Sequence, residues 1–255
     1  MPDQPRDDLH AEMLARIDDL ASRMRGGARV AVLSGAGISA ASGIPTFRGG
    51  EDALWSRYRP EELATLEAFQ RDPELVWRWY DWRRQLIADG APNDAHHALV
   101  DLAQLTDVRI VTQNVDGYHQ QAGSRDVIEY HGSIWTVRCM SCPYEDLDQR
   151  VPLPIPPHCP RCNDLLRPAV VWFGEGIPDA AARAADEAVS ACDILLVVGT
   201  AGAVYPAAGL VTLARFHDAM VVEFNLEPSA ITQRADLYVP GSAADTLPLL
   251  LADPT

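Results

Sequence analysis

Four short, mostly apolar runs constrain this chain most: residues 29–33, 108–111, 194–198 and 220–224. Each has the length of one strand, and none shows the apolar–polar alternation of a strand with one face in water. Helical periodicity fills intervals between them, at residues 93–105, 179–191 and 206–215. Buried strands alternating with helices predict a parallel sheet covered on both faces, a doubly wound Rossmann-like α/β core. Ahead of the first run, Leu9, Met13, Leu14, Ile17 and Leu20 recur at helical spacing and stop at Gly26 and Gly27.

Two segments break this rhythm. Residues 49–89 contain Trp55, Trp77, Trp79 and Trp82 and read as two helices, 61–70 and 73–88, with no strand between them. Residues 134–170 are Pro-rich and contain paired cysteines. The expected organisation is a discontinuous core (1–48, 90–133 and 171–255) from which a helical module (49–89) and a metal-binding module (134–170) project as a smaller domain, leaving a cleft between.

With 255 residues, 47% hydrophobic and 22% charged, the chain can bury a substantial core. Its formal net charge of -15 argues against nucleic acid as a partner, because phosphate binding relies on Lys and Arg. All 21 basic residues are arginine. Residues 1–20 lack the basic and apolar regions of a secretory leader, and no apolar run approaches the roughly 20 residues of a membrane helix. A cytoplasmic protein that neither enters nor binds a membrane is expected, acting as a monomer.

Cys139-x2-Cys142 and Cys159-x2-Cys162 are separated by sixteen residues. That is the two-knuckle spacing of a four-cysteine Zn2+ site. Four thiolates close the tetrahedron and leave no position for substrate or water, so one structural zinc per chain is expected. The fifth cysteine, Cys192, lies at an apolar helix end and reads as a core residue.

The first apolar run opens into Gly35-Ala36-Gly37. Glycines after a buried strand let the backbone approach a pyrophosphate. The tripeptide by itself is equally a plain turn, since Ala40 replaces the third glycine of the dinucleotide fingerprint. The longer string from Gly35 through Ile38-Ser39-Ala40-Ala41-Ser42-Gly43-Ile44-Pro45-Thr46-Phe47-Arg48 to Gly49 resembles the NAD-binding signature of the sirtuin family. Thr112-Gln113-Asn114-Val115-Asp116-Gly117, His131-Gly132, Phe173-Gly174-Glu175, Gly199-Thr200 and Asn225-Leu226-Glu227 follow in the family's order. The likeness spans about residues 29–248.

The resemblance implies an NAD-dependent protein-lysine deacylase that consumes NAD and acts on acylated-lysine proteins or peptides. It assigns NAD contacts to Gly35, Ala36, Gly37, Ser39, Thr46, Phe47, Arg48, Trp55, Gln113, Asn114, Val115, Asp116, Gly199, Thr200, Ala201, Asn225, Leu226, Glu227 and Ala243. Asn114 and His131 are the implied catalytic pair. The substrate amide oxygen attacks the nicotinamide ribose, and His131 serves as general base on the ribose hydroxyls, giving nicotinamide, free lysine and O-acyl-ADP-ribose. An imidazole has the right basicity for that task near neutrality.

Val171-Trp172-Phe173-Gly174-Glu175, facing Val204 and Tyr205, resembles the loop that pairs with substrate peptide as an added strand, with Val171, Phe173, Gly174 and Glu175 as the implied contacts. Tyr80 and Arg83, three residues apart on one helical face, sit in a stretch that resembles class III sirtuins, whose Tyr and Arg hold the carboxylate of succinyl, malonyl or glutaryl lysine. Ala64 matches the small residue that enlarges that pocket. Ala201 and Gly202 stand where many relatives have serine after Gly-Thr. Two other activities fit the same fold: mono-ADP-ribosyl transfer, and a non-catalytic NAD or ADP-ribose sensor. Retention of His131, Asn114 and Asp116 weighs against the sensor.

Overall fold

The computed structural model describes residues 4–45 and 60–252. Helix α1 (Gln4–Arg25) leads into β1 (Val30–Ser34), and a 3-10 segment, Ala36–Ser42, follows the first glycine loop. Next come α2 (Pro60–Leu63), α3 (Leu66–Arg71), α4 (Pro73–Asp89), α5 (Asp94–Leu105), β2 (Val108–Thr112), α6 (Tyr118–Ala122) and β3 (Val127–Glu129). Strands β4 (Gly132–Cys139), β5 (Glu145–Leu147) and β6 (Leu166–Val170) precede α7 (Asp179–Ala191), β7 (Ile194–Val198), α8 (Gly209–Phe216), β8 (Met220–Asn225), β9 (Leu237–Pro240) and α9 (Ala243–Thr246).

Six strands form one parallel sheet in the order β3-β2-β1-β7-β8-β9. Every residue of β1 and β7 is buried, which is why neither run alternates. On one face Leu20, Met24, Leu99 and Leu102 pack with Val32, Ile110 and Leu196. On the other, Val189, Leu210 and Val211 pack with Leu33, Val111 and Leu195. Cys192 is buried in this second layer, as expected.

A third core belongs to the smaller domain. Strands β5-β4-β6 form an antiparallel sheet, and Ile134, Val137, Leu166 and Val170 share one cluster with Phe69, Val76, Trp77 and Tyr80 of the helical segment. Two side chains of α4 fasten the two inserts. Trp77 Nε1 donates to the Leu166 carbonyl at 2.7 Å, and the buried Arg84 guanidinium donates to the Asp148 carbonyl while lying 5.0 Å over the Trp135 ring.

The structure corrects several element boundaries. The helix expected over 61–70 is broken into α2 and α3. The Ala64 carbonyl leaves the helical ladder to accept from Phe173 N at 2.9 Å, and Thr65 Oγ1 then caps α3 by accepting from Ala68 N. The helix expected from residue 206 starts at Gly209, after a turn in which Gly209 N bonds the Pro206 carbonyl. Edge strands β3 and β9 were not anticipated as strands, being only three and four residues long. No helix among the described residues is long and apolar enough to cross a membrane.

Behind β1 and β2 lies a buried histidine pair. His96 Nδ1 accepts from Asn93 N at 3.2 Å, His119 Nε2 meets Ser34 Oγ at 2.9 Å, and the two rings are 5.1 Å apart. Burial first and the His97 imidazole second hold His96 down at about 4, while burial first and the His96 imidazole second hold His119 at about 3. The fold therefore accommodates the neutral rings, whereas the unfolded chain takes up protons near 6.5. Stability contributed by the pair is present above pH 6.5 and is lost as pH falls toward 4 and 3. Urea unfolding between pH 6.5 and 5, above the carboxylate range, is expected to lose up to about 1.4 kcal/mol per pH unit for each ring. His119→Asn should roughly halve that slope, and a flat wild-type profile would contradict the assignment.

Candidate active site

The sheet order reverses between β1 and β7, and the chain ends of these strands meet there. Such a switch point is where open α/β sheets bind ligands. Gly37 N donates to the Gly199 carbonyl at 2.8 Å. A Cβ on Gly37 would stand 2.7 Å from Gly199 Cα, and one on Gly35 2.7 Å from Thr200 Cβ. Only glycine permits this approach, which lays the two loops side by side along the crevice.

Polar side chains from the end of β2 tie these loops together. Gln113 Nε2 donates to Thr200 Oγ1 at 3.1 Å and to the Ser34 carbonyl at 3.3 Å. Asn114 Nδ2 donates to the Gly35 carbonyl and to Ser39 Oγ, both at 3.2 Å, and the Ser39 hydroxyl donates to Asp116 at 2.7 Å. Burial raises the Asp116 carboxyl, with the Tyr118 amide and Ser39 hydroxyl opposing the shift. Val115 accepts from Ile134 N through its carbonyl, joining this turn to β4. At the end of β8, Asn225 Nδ2 donates to the Thr200 carbonyl at 3.0 Å.

His131 sits between β3 and β4, beside the same turn. Its Nδ1 lies 3.0 Å from the Gln113 carbonyl. A carbonyl only accepts, so Nδ1 carries the proton and Nε2 keeps its lone pair. Burial lowers its pKa below the ordinary imidazole value, partly offset by the Gln113 bond. The group is a neutral, oriented base at physiological pH.

The structure thus brings Gly35, Ala36, Gly37, Ser39, Gln113, Asn114, Val115, Asp116, His131, Gly199, Thr200 and Asn225 to one crevice. Ala201, Leu226 and Glu227 are exposed just beyond the strand ends. Ala243 has its side chain in the core at the start of α9, so only its backbone is available to a ligand. Thr46, Phe47, Arg48 and Trp55 lie outside the described residues.

A second group lies where the smaller domain meets the core. Val171 to Glu175 form a turn after β6, with Val171 N bonded to the His131 carbonyl, Phe173 N to the Ala64 carbonyl and Glu175 N to the Trp172 carbonyl. Ala64 is buried, while Phe173, Gly174, Val204 and Tyr205 are exposed. The Glu175 carboxylate is engaged within the turn, by Arg167 at 2.5 and 2.9 Å and by the Trp172 amide at 2.9 Å. The Tyr80 phenol accepts from Trp172 Nε1 at 2.9 Å, and Arg83 lies 4.9 Å over the Trp79 ring. Burial pushes Tyr80 up to about 12, against the opposing Arg83 charge, so its hydroxyl stays protonated. Sequence reading places Trp172 in the peptide-pairing motif but misses Arg167, and nothing in the local pattern announces the bond of Trp172 to α4 or of Arg167 to Glu175.

The four cysteines of the small domain converge, all Sγ atoms lying within 4.8 Å of one another. Cys139 and Cys162 are 3.4 Å apart, and Cys142 is 3.6 Å from both Cys159 and Cys162. Thiolates around a tetrahedral Zn2+ at about 2.3 Å stand roughly 3.8 Å from each other, so the donor set fits zinc. The amides of Ser141 and Arg161 donate to Cys139 and Cys159 Sγ, each at 3.4 Å. These bonds stabilise thiolate charge, and the Ser141 amide is the main cause that draws Cys139 down to about 7.

Comparison with known proteins places these features in context. The family described as the Sir2 family matches residues 35–206. "NAD-dependent protein deacylase 2" of Pyrobaculum aerophilum is 54% identical over 223 residues, 87% of this chain and 89% of the relative. The crystal structure of a Sir2 homolog–NAD complex superimposes with a TM-score of 0.87 at 42% identity, covering 91% of each chain. A Sir2 variant bound to a deacetylated p53 peptide and 3′-O-acetyl-ADP-ribose matches with a TM-score of 0.81 at 29% identity, covering 92% of this chain and 97% of its own.

The cysteine geometry yields a direct test. Cys159→Ser should release the metal and unfold the β4–β6 module, lowering Tm by on the order of 10 °C. Hydrogen exchange should show amides of β4 and β6 losing protection while β1 and β7 keep theirs. Full protection in a variant shown to be metal-free would exclude a structural role.

Proposed function

This chain belongs to the Sir2 family, the sirtuins, and is an NAD-dependent protein deacylase; from that premise we propose that it removes succinyl, malonyl or glutaryl groups from lysine side chains, and acetyl more weakly. The observation that carries the acyl preference is the buried, protonated Tyr80 phenol one helical turn from Arg83, beside the turn that Phe173 N anchors to Ala64. A guanidinium and a phenolic O–H are matched to a carboxylate, and a neutral acetyl group offers them nothing. Ala64 keeps the neighbouring space small-sided, and Val171, Phe173, Gly174 and Glu175, opposite Val204 and Tyr205, frame the peptide.

NAD is held in this reading by Gly35, Ala36, Gly37, Ser39, Gln113, Asn114, Val115, Asp116, Gly199, Thr200, Ala201, Asn225, Leu226, Glu227 and the backbone of Ala243, together with Thr46, Phe47, Arg48 and Trp55. Bound NAD supplies a ribose carbon with nicotinamide as its leaving group. His131 takes a proton from a ribose hydroxyl at Nε2, the nitrogen its Gln113 bond leaves free. Asn114 and Asp116, cross-linked through Ser39, set the position of the sugar. Zn2+, one per chain, supports the smaller domain from Cys139, Cys142, Cys159 and Cys162. Its partners are acylated-lysine proteins or peptides, met in the cytoplasm by a monomer. The charge of -15 disfavours nucleic acid.

An acyl-peptide panel with and without NAD tests the assignment. Arg83→Met should lower kcat/KM on succinyl-lysine peptide by about 10- to 100-fold, the worth of a charge-assisted bond, and far less on acetyl-lysine peptide. Equal losses on both would remove the clamp. His131→Ala should cost about 10²- to 10⁴-fold on every acyl group. Because its pKa is lowered, the acid limb of the wild-type kcat/KM profile should fall below pH 6.5, and a limb above 7 would argue against His131 as the base.

A further inference from the structure

Tyr80 has its acceptor side filled by the protein. The indole of Trp172 is a donor only, so the 2.9 Å contact between Trp172 Nε1 and the Tyr80 hydroxyl has one polarity: the phenolic oxygen accepts. The phenol must then direct its own hydrogen elsewhere, and among the described residues none accepts it. Both rings are about 1% exposed, so water does not freely serve either. A buried donor left without an acceptor is costly, and a ligand oxygen brought to it recovers that cost.

Trp172 is itself held on several sides. Arg167 Cζ stands 3.3 Å from the centroid of its ring, and Phe69 packs at 5.2 Å. Arg167 is fixed by both oxygens of Glu175 and by the Val170 carbonyl at 2.8 Å. Glu175 in turn accepts the Trp172 amide and lies 3.7 Å from Arg138. The cation over the indole face stabilises the ring in place and draws electron density from the N–H, making it a better donor.

We propose that Trp172 is a specificity-positioning residue, whose indole N–H occupies the phenolic oxygen of Tyr80 and so aims the Tyr80 hydrogen at the carboxylate of an acidic acyl group. The role rests on the acyl preference proposed above. Trp172 does not touch the acyl group in this account; it acts through Tyr80, and Arg167 and Glu175 hold it in register. An acetyl group has no terminal acceptor and is indifferent to the direction of that hydrogen.

The test is a double-mutant cycle on paired peptides of one sequence, succinylated or acetylated, at saturating NAD. Trp172→Phe should lower the succinyl-to-acetyl ratio of kcat/KM about 3- to 10-fold, the worth of one hydrogen bond. Tyr80→Phe should lower it at least as much, and the double variant should fall no further than Tyr80→Phe. An unchanged ratio in Trp172→Phe, or an equal drop in the Tyr80→Phe background, overturns the role while leaving the acyl preference standing. A wild type that fails to remove succinyl at all overturns the acyl preference and this role with it. If Trp172→Phe does not fold, 15N-tryptophan-labelled wild type decides: the Trp172 indole resonance should move on adding the succinyl peptide and stay on adding the acetyl peptide. A resonance that responds identically to both overturns the proposal.

Discussion

Backbone rests on backbone where β1 and β7 end, and the crevice depends on that contact. Gly37 N bonds the Gly199 carbonyl, and no side chain fits between the two loops. Their closeness puts Thr200 within reach of Gln113 from β2 and Asn225 from β8, so four adjacent strands contribute to one polar floor. The Gln113 carbonyl then sets the tautomer of His131. A backbone approach between two loops thereby propagates, bond by bond, to the basicity and direction of a single ring nitrogen.

Behind the floor, the side chains are kept neutral. His119 holds Ser34 Oγ, which donates to Thr112 Oγ1, which accepts from the Asn114 amide. A charged imidazole here would face the apolar layer beneath the sheet, and burial prevents it. Asp116 experiences the same burial and is compensated by two hydrogen bonds. Stability and site geometry are thus linked through His119, Ser34 and Thr112, which lie behind the residues assigned to the ligand.

The smaller domain shows how an insertion becomes part of a site. Its two halves are far apart in sequence yet share one core, with Trp77 and Arg84 of α4 fastened to carbonyls of the metal-binding module. The cysteine cluster fixes the ends of β4 and β6, and the chain leaving β6 carries Trp172 to Tyr80 and Phe173 to Ala64. Metal, sheet and turn form one mechanical path to the region assigned to acyl recognition.

Much of this was legible in the sequence because it rests on local rules. Short, mostly apolar runs specify strands buried on both faces, glycines mark the close approach of loops, and paired Cys-x2-Cys spacing specifies a tetrahedral donor set before any fold is known. Ordered motifs then imply the family and its site. Tertiary structure alone decided where α2 breaks, which imidazole nitrogen is free, what Glu175 is bonded to, and that Trp172 meets Tyr80. Each of these is a bond between residues distant in sequence, such as Phe173 with Ala64 or His131 with Gln113. Periodicity and spacing carry information only along the chain, so the partner of a side chain across the cleft is set when the two cores pack, and not before.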